Sequence, residues 1–74
     1  MIITSSSDLI SAIENIVNDP IVEIPSGGLY AWTGAIATPF KLILHSNSRF
    51  FLNGKEMSCN KGVTNVYLNG YEEE

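Results

Sequence analysis

The sequence is poor in cysteine, histidine and positive charge, and each shortage argues against a class of protein. Cys59 is the only cysteine among 74 residues, so the chain cannot form an internal disulfide. His45 is the only histidine, and neither residue has companions at the spacing of a metal site. Four Lys and Arg stand against eight Asp and Glu, and the net charge of −4 argues against nucleic-acid binding, except by mimicry of nucleic acid. We therefore expect no metal, no cofactor and no nucleic-acid partner.

Long apolar runs are missing as well. No segment approaches the ~20 apolar residues of a membrane-spanning helix, and no basic stretch followed by an apolar one comes after Met1. We therefore expect no membrane association, no secretory signal, and a cytoplasmic (host cell) or virion-associated location. A chain of 74 residues makes one domain, and it buries only about 60% of the surface that it exposes when unfolded. A partner chain, including a second copy of itself, is one way to supplement so small a core.

One amphipathic helix is predicted near the N-terminus. Its apolar side chains follow the pattern of a single helical stripe: Leu9, Ile10, Ile13, Ile16 and Val17. Ser5 with Asp8 three residues later approximates a capping box, and an acid in the first turn suits the helix dipole. Asp19-Pro20 disfavours further helical angles. The pattern predicts a helix of about three turns over residues 8–18.

Short β-strands and turns follow the helix. Runs of β-branched and aromatic residues, separated by Gly, Pro, Asn and Ser, predict strands at residues 21–24, 29–33, 40–45, 49–52, 55–59 and 63–68. Residues 1–4 are also β-prone and could pair as an edge strand. The sequence thus predicts a single α+β domain over residues 1–71, in which one helix precedes the strands. Residues 72–74, Glu72 to Glu74, form the predicted acidic tail.

A short motif occurs twice in the second half of the chain. Residues 51–56 (FLNGKE) return sixteen positions later as residues 67–72 (YLNGYE). Asn-Gly is the commonest type I′ turn, so a pair of hairpins explains the repeat. Two stacked corners of a solenoid explain it as well. The repeat therefore predicts two similar strand-to-turn corners and leaves their arrangement open.

Taken in order, these elements resemble the opening of a right-handed parallel β-helix, as in pectin-lyase-like proteins and phage tailspikes. The resemblance lies in the helix at residues 8–17, the Pro-Ser-Gly corner within residues 21–30, and the strand-to-turn segments at residues 42–54 and 62–70. Strands centred near Val22, Ile43 and Val66 are 21 and 23 residues apart, which suits one coil per strand. The resemblance implies a helix that caps a short stack of parallel coils.

The same resemblance implies an assembly role, because homotrimers are common among tailspike-like proteins and cover otherwise open strand edges. No catalytic acid or base of the family can be carried onto this chain, which is much shorter than its members, so we expect no enzyme. A rival arrangement stays open. Residues 40–45, 49–52, 55–59 and 63–68 can form a small antiparallel sheet packed on the helix, and the short loops between them favour it.

Seven side chains, six of them aromatic, are candidates for a protein interface: Tyr30, Trp32, Arg49, Phe50, Phe51, Tyr67 and Tyr71. Phe50 and Phe51 are adjacent, so in a strand they point to opposite faces and one of them faces away from the core. His45 and Cys59 are interpreted as structural residues, since the sequence near them supplies no nucleophile or second ligand.

These observations predict a non-enzymatic protein-binding or assembly module, a tailspike-like structural piece encoded by a phage or mobile element. Its partner is another protein or a second copy of the chain. A second interpretation is a small acidic inhibitor that occludes a host protein, such as a defence enzyme or a nucleic-acid-processing enzyme. An enzyme ranks third, because no nucleophile–base pair or pair of acids can be assembled from the sequence.

Overall fold

Six strands alternate between two sheets in the computed structural model, which describes residues 1–72. Helix α1 spans Ser6–Glu14, and the strands are β1 (Ile21–Ile24), β2 (Leu29–Trp32), β3 (Phe40–His45), β4 (Ser48–Leu52), β5 (Lys55–Cys59) and β6 (Val63–Leu68). Sheet A has the order β1-β3-β6, and sheet B has the order β2-β4-β5. Consecutive strands thus form three stacked rungs, β1–β2, β3–β4 and β5–β6. The α+β prediction is confirmed, while Glu73 and Glu74 of the predicted tail lie outside the described residues.

Parallel pairing relates the first two rungs. β1 lies beside β3 with Ile21 opposite Lys41, and β2 lies beside β4 with Leu29 opposite Arg49. The displacement is twenty residues in both sheets, close to the spacing expected for one coil. Parallel strands need a long crossover, and here each crossover passes through the opposite sheet.

The third rung runs in the reverse direction. Asn53 and Gly54 both have positive φ (52° and 84°), as in a two-residue type I′ turn, so β5 folds back antiparallel to β4. β6 then lies antiparallel to β3, with Val66 opposite Leu42. Leu42 is also opposite Val22, so the three strands expected to stack do lie in one sheet. Each sheet contains one parallel and one antiparallel pair, so the single antiparallel sheet expected for β3 to β6 does not form, and these four strands are divided between sheets A and B.

Residues 1–3 cover the outer side of β1. Ile3 donates its N–H to the Glu23 carbonyl (2.9 Å), and Glu23 donates its own to the Met1 carbonyl (2.9 Å). Ile2 is opposite Glu23 in this short parallel bridge, so Ile3 points inward and is completely buried. The predicted edge pairing of residues 1–4 is confirmed.

Helix α1 begins two residues before the predicted helix and ends four residues before its predicted end. Ser5 is the N-cap, because its hydroxyl accepts the Asp8 N–H (3.2 Å). The Asp8 carboxylate accepts from the hydroxyl and the N–H of Thr4 rather than from Ser5, so only one half of the expected capping box is present. These hydrogen bonds, that of the Thr4 hydroxyl above all, hold the pKa of the Asp8 carboxyl below its ordinary value.

The buried stripe of this segment also differs from the expected one. Its buried side chains are Leu9, Ala12 and Ile16, and Ile10 and Val17 are exposed. Ala12 does not follow the spacing of the expected stripe, yet it is buried. Beyond Glu14 the chain continues in tighter turns, in which Ile16 donates to the carbonyl three residues back (3.3 Å), and this turns Val17 toward solvent.

Alternate side chains of all three rungs fill the space between the sheets, together with Ile3 and the buried side of α1. The inward residues of the strands are Val22, Ile24, Phe40, Leu42, Leu44, Phe50, Met57 and Cys59. Cys59 is buried among these apolar side chains, in agreement with its interpretation as a structural residue.

The rungs are also joined at their two sides. On one side, the corner residue Ser46 accepts the Gly27 N–H with its carbonyl (3.1 Å) and the Gly62 N–H with its hydroxyl (2.9 Å). On the other side, Asn53 and Asn69 both have left-handed φ (52° and 55°), and both side chains bind the loop at residues 33–39. The prediction of two similar strand-to-turn corners is confirmed.

Candidate protein-binding surface

Phe50 and Phe51 face opposite ways, as the sequence predicted. Phe50 is completely buried between the sheets, so its selection as an interface residue was wrong. Ser48 shares the inward face of β4 and donates its hydroxyl to the His45 carbonyl (2.6 Å), which fixes the alternation of this strand. Phe51 points outward from sheet B and stays an interface candidate.

Tyr30 and Trp32 are half-buried and pack against the core from β2. The segment at residues 29–33 therefore presents Leu29, which is 59% exposed, rather than its two rings. Leu29 and Ile10 line a groove of about 430 Å³ between α1 and β2. This groove lies at the N-terminal end of the stack.

Arg49 and Phe51 form an ordered patch on the outer face of sheet B. The Arg49 guanidinium lies 5.1 Å from the centre of the Phe51 ring and binds the Glu56 carboxylate on β5 (2.7 Å). Both ions are exposed, so the ion pair itself contributes little to stability. The cation over the ring adds a further small attraction. Arg49, Phe51 and Glu56 therefore contact one another, and the surface that they form on the outer face of sheet B is partly polar.

Tyr67 and Tyr71 lie together on the outer face of sheet A. Their rings are stacked, with centroids 6.2 Å apart, and the Lys41 ammonium is 6.0 Å from the Tyr67 ring. Tyr67 is 50% exposed and Val63 is 58% exposed, and each lies two positions from Asn65, on opposite sides of it. The structure therefore leaves apolar side chains outward along β6.

The hydrogen bonds of β3 show which edge of β6 is open. Lys41 donates its N–H to the Pro20 carbonyl (2.8 Å), on the side of β1. Backbone groups alternate sides along a strand, so the odd-numbered residues of β3 bond to β1 and the even-numbered residues bond to β6. The even-numbered residues of β6 lie opposite the even-numbered residues of β3 and bond to them. The N–H and C=O groups of Val63 and Asn65 therefore point to the open edge.

The same reasoning applies to β5. Arg49 donates its N–H to the Gly28 carbonyl (2.8 Å), on the side of β2, so the even-numbered residues of β4 bond to β5. The backbone groups of Glu56 and Ser58 then point away from the sheet. Within residues 1–72 no strand pairs with the outer side of β5 or of β6. Both open edges belong to the third rung and face the same end of the stack.

The open edge of β6 lacks the usual protection against pairing. Natural edge strands carry charges, Pro, bulges or a covering segment. β6 has the sequence VTNVYL over residues 63–68, without a charge, Pro or Gly, and pairs with β3 along its whole length without a bulge. It is a six-residue strand of high β-propensity at the edge of a sheet. Such a strand is a template for another strand.

Sequence reasoning missed a hydrogen bond between His45 and Glu23 on the outer face of sheet A. The His45 Nε2 and the Glu23 Oε2 are 2.6 Å apart, and both side chains are about one-third exposed. Glu23 lies opposite Ile43 in the parallel register, and His45 follows two residues later on the same face. A twenty-residue coil spacing, applied to the sequence, would have found this pair.

The His45–Glu23 pair lines an open groove of about 480 Å³, with Ile2 and Val63 at its apolar sides. Two hydroxyls nearby, those of Ser26 and Ser46, donate to the carbonyls of Ser46 (2.7 Å) and Gly62 (3.3 Å) rather than to the imidazole. Within residues 1–72 no group of three or more His, Cys, Asp or Glu side chains could hold a metal ion.

The chain matches no protein-family model, no curated protein and no solved structure. The likeness to the opening of a parallel β-helix therefore stays a prediction. In the described part of the chain, no helix is long and apolar enough to cross a membrane, since α1 has nine residues.

Proposed function

We propose that this chain is a non-enzymatic protein-binding or assembly module, and that it binds by adding a strand of its partner to the open edge of β6. The open, uncharged edge of β6 is the observation that supports this proposal. Main-chain hydrogen bonds supply affinity in this mode of recognition, and alternate side chains supply specificity. Val63 and Tyr67 on the outer face, with Thr64 and Val66 on the inner face, are the side chains that a partner strand would meet.

The parallel stacking of β1 on β3 and of β2 on β4 beneath α1 supports the tailspike-like form of the proposal. In such proteins a strand edge left by one chain is covered by another chain. The chain is then a structural piece that completes its core in an assembly. This extends the proposal to a phage or mobile-element origin and to a cytoplasmic or virion-associated location.

The groove beside His45 supports a binding role over a catalytic one. A general base needs the proton of a nucleophile within hydrogen-bond reach. The nearby Ser26 and Ser46 hydroxyls are bound to backbone carbonyls, which fixes the corners of the rungs. The groove lies on the same face as Val63, so a partner on β6 would cover part of it.

One substitution tests the proposal at the edge. Asn65→Lys places a charge on the outer face of the open edge, the device that natural edge strands use against pairing. Leu29→Lys is the matched control, because Leu29 is also exposed and lies on an outer strand at the opposite end of the stack. Tagged wild-type, Asn65→Lys and Leu29→Lys chains are expressed in cells, and every complex that they form, with themselves or with other proteins, is quantified.

We expect a complex with the wild type and with Leu29→Lys that is lost with Asn65→Lys, while circular dichroism shows the same fold in all three. A complex that both variants retain would place the interface elsewhere and refute the edge proposal. Absence of any complex with the wild type would refute the binding function itself.

A further inference from the structure

We propose that the partner at this edge is a second copy of the same chain, in a two-fold dimer formed by the third rungs. In this dimer β6 pairs antiparallel with β6 of the second copy about Asn65, and β5 pairs antiparallel with its counterpart about Met57. This proposal rests on the proposed function, because it names the occupant of the same open edge.

The two open edges fit one two-fold axis. Val63 and Cys59 flank the corner of the third rung, and His45 and Ser48, which flank the corner above it, lie directly opposite them. Asn65 and Met57 are each two residues from this corner, one in each sheet. An axis that passes through both positions, perpendicular to the sheets, therefore relates both edges to those of a second copy at once.

The alternation of backbone hydrogen-bonding groups along β5 and β6 agrees with this axis. In an antiparallel pair, residues whose backbone groups point to the partner must lie opposite one another. Rotation about Asn65 sets it opposite itself, and the odd-numbered positions of β6 opposite one another. Rotation about Met57 sets Glu56 opposite Ser58 of the second copy, and these are the positions of β5 that point to the open edge. A shift of one residue in either strand would break this agreement.

The side chains along the joint are also compatible. On the outer face, Val63 meets Tyr67 of the second copy, so two exposed apolar side chains cover each other on either side of the axis. On the inner face, Thr64 meets Val66. In sheet B, Glu56 meets a serine and Lys55 meets a cysteine, so no like charges lie opposite one another.

A second copy fits better than a single extended peptide. The open edges of β5 and β6 belong to two sheets, and facing sheets lie ~10 Å apart. One peptide strand can pair with only one of these edges. A copy of this chain presents two edges of matching length at the same separation, and it continues both sheets and the apolar layer between them. The half-buried Val66 and Leu68 would then become interior.

A charge exchange at Asn65 tests the register. The purified wild-type chain is studied by sedimentation equilibrium over a wide concentration range, beside the Asn65→Asp and Asn65→Lys variants. Like charges directly opposite each other destabilise an antiparallel pair, so each variant alone should dimerise about two- to fivefold more weakly than the wild type at low salt. An equimolar mixture of the two variants places opposite charges across the axis and should recover dimerisation. Leu29→Asp and Leu29→Lys are the matched controls and should dimerise like the wild type.

A cross-link provides a measurement that does not depend on affinity. Residues opposite one another in a hydrogen-bonded antiparallel pair have Cα atoms ~5.5 Å apart, within the range for a disulfide. Asn65→Cys should therefore form a disulfide-linked dimer with oxidised glutathione, and Leu29→Cys should not. Cys59 is buried and does not compete.

The outcomes separate this inference from the proposed function. If the purified chain is monomeric at every concentration and Asn65→Cys gives no cross-link, the self-pairing proposal is overturned. If Asn65→Lys nevertheless abolishes a complex with another protein, the proposed binding function of the β6 edge still holds. A dimer whose stability is unchanged in the Asn65 variants also overturns it, because its interface would lie elsewhere.

Discussion

At the N-terminal end of the stack residues 1–3 cover β1, whereas at the C-terminal end no described strand covers β5 or β6. The covering segment is very short, yet it places Ile3 in the core and satisfies backbone groups of Glu23 on the outer side of β1. Among the described residues, the Asn69 corner and the stacked Tyr67–Tyr71 pair lie near the C-terminal end. The outer side of β1 is thus covered by its own chain, whereas β6, at the opposite edge of the same sheet, has no described strand on its outer side.

This difference separates residues that stabilise the monomer from residues that are available for assembly. Within sheet A the inward side chains of β1 and β3 are completely buried, whereas Val66 and Leu68 on β6 are half-buried. We expect substitutions at the N-terminal end to lower the stability of the isolated chain, and substitutions at the C-terminal end to act mainly on association.

The largest expected effect belongs to the closed end. Ile3→Ala removes three carbons from a fully buried site, and we expect it to lower the free energy of unfolding by about 2–4 kcal/mol. In a domain of this size such a loss unfolds much of the population. Urea unfolding followed by circular dichroism measures it. Ile2→Ala is the neighbouring control, since Ile2 is 55% exposed, and it should change stability by less than about 0.5 kcal/mol.

An intermediate effect is expected where the middle rung holds the loop at residues 33–39. The Asn53 side chain accepts the Gly34 N–H (2.8 Å) and donates to its carbonyl (3.0 Å). Asn53→Ala loses both bonds and places a β-carbon at a φ of 52°, and we expect a cost of about 2–3 kcal/mol in urea unfolding. Asn53→Gly loses the same bonds without the backbone strain, so it should cost less than Asn53→Ala. Equal costs would show that the left-handed backbone contributes nothing.

A smaller effect on the monomer is expected at the open end. Val66→Ala removes two carbons from a half-buried position. We therefore expect it to lower the free energy of unfolding of the isolated chain by about 1 kcal/mol at low concentration. The loss should grow with protein concentration if assembly buries this side chain. A cost as large as that of Ile3→Ala at low concentration would contradict the contrast between the two ends.

The smallest effect concerns Asp8 at the start of α1, and it depends on pH. Thr4 holds the pKa of this carboxyl below its ordinary value, so the contribution to stability is present above about pH 4 and is lost as the pH falls through the lowered folded-state pKa. Asp8→Asn should therefore destabilise the chain at neutral pH and have no such effect in strong acid. Thr4→Val should raise the pKa of Asp8 toward its ordinary value in an NMR titration, and an unchanged pKa would refute this cause.

The sequence was sufficient to locate the strands, because Gly, Pro, Asn and Ser separate one strand from the next. It was not sufficient for their direction. The three strands near Val22, Ile43 and Val66 stack as their spacing indicated, but the left-handed Asn53-Gly54 turn reverses the third one. An Asn-Gly pair favours such a reversal, yet the same pair at residues 69 and 70 ends β6 without one in the described chain. Tertiary contacts decide between these outcomes.

The candidate surface was harder to predict than the fold. In the run Arg49, Phe50, Phe51 the alternation of faces is clear, but its phase depends on Ser48, whose buried hydroxyl binds a backbone carbonyl. A serine gives no apolar signal for the inward face, so the sequence does not indicate which of the two rings faces the core. The open edge of β6 is a property of strand order, and strand order joins residues far apart in the chain. Side-chain patterns of one segment cannot supply it.

The reversal at Asn53-Gly54 also bears on the order in which the chain folds. A hairpin closed by two residues forms within about 1–10 μs, so β4 and β5 are expected to meet first. Strands β1 and β3 must instead join residues twenty positions apart, which costs more loop-closure entropy. When the whole chain refolds from denaturant, the hairpin of β4 and β5 is therefore expected to form before β1 pairs with β3.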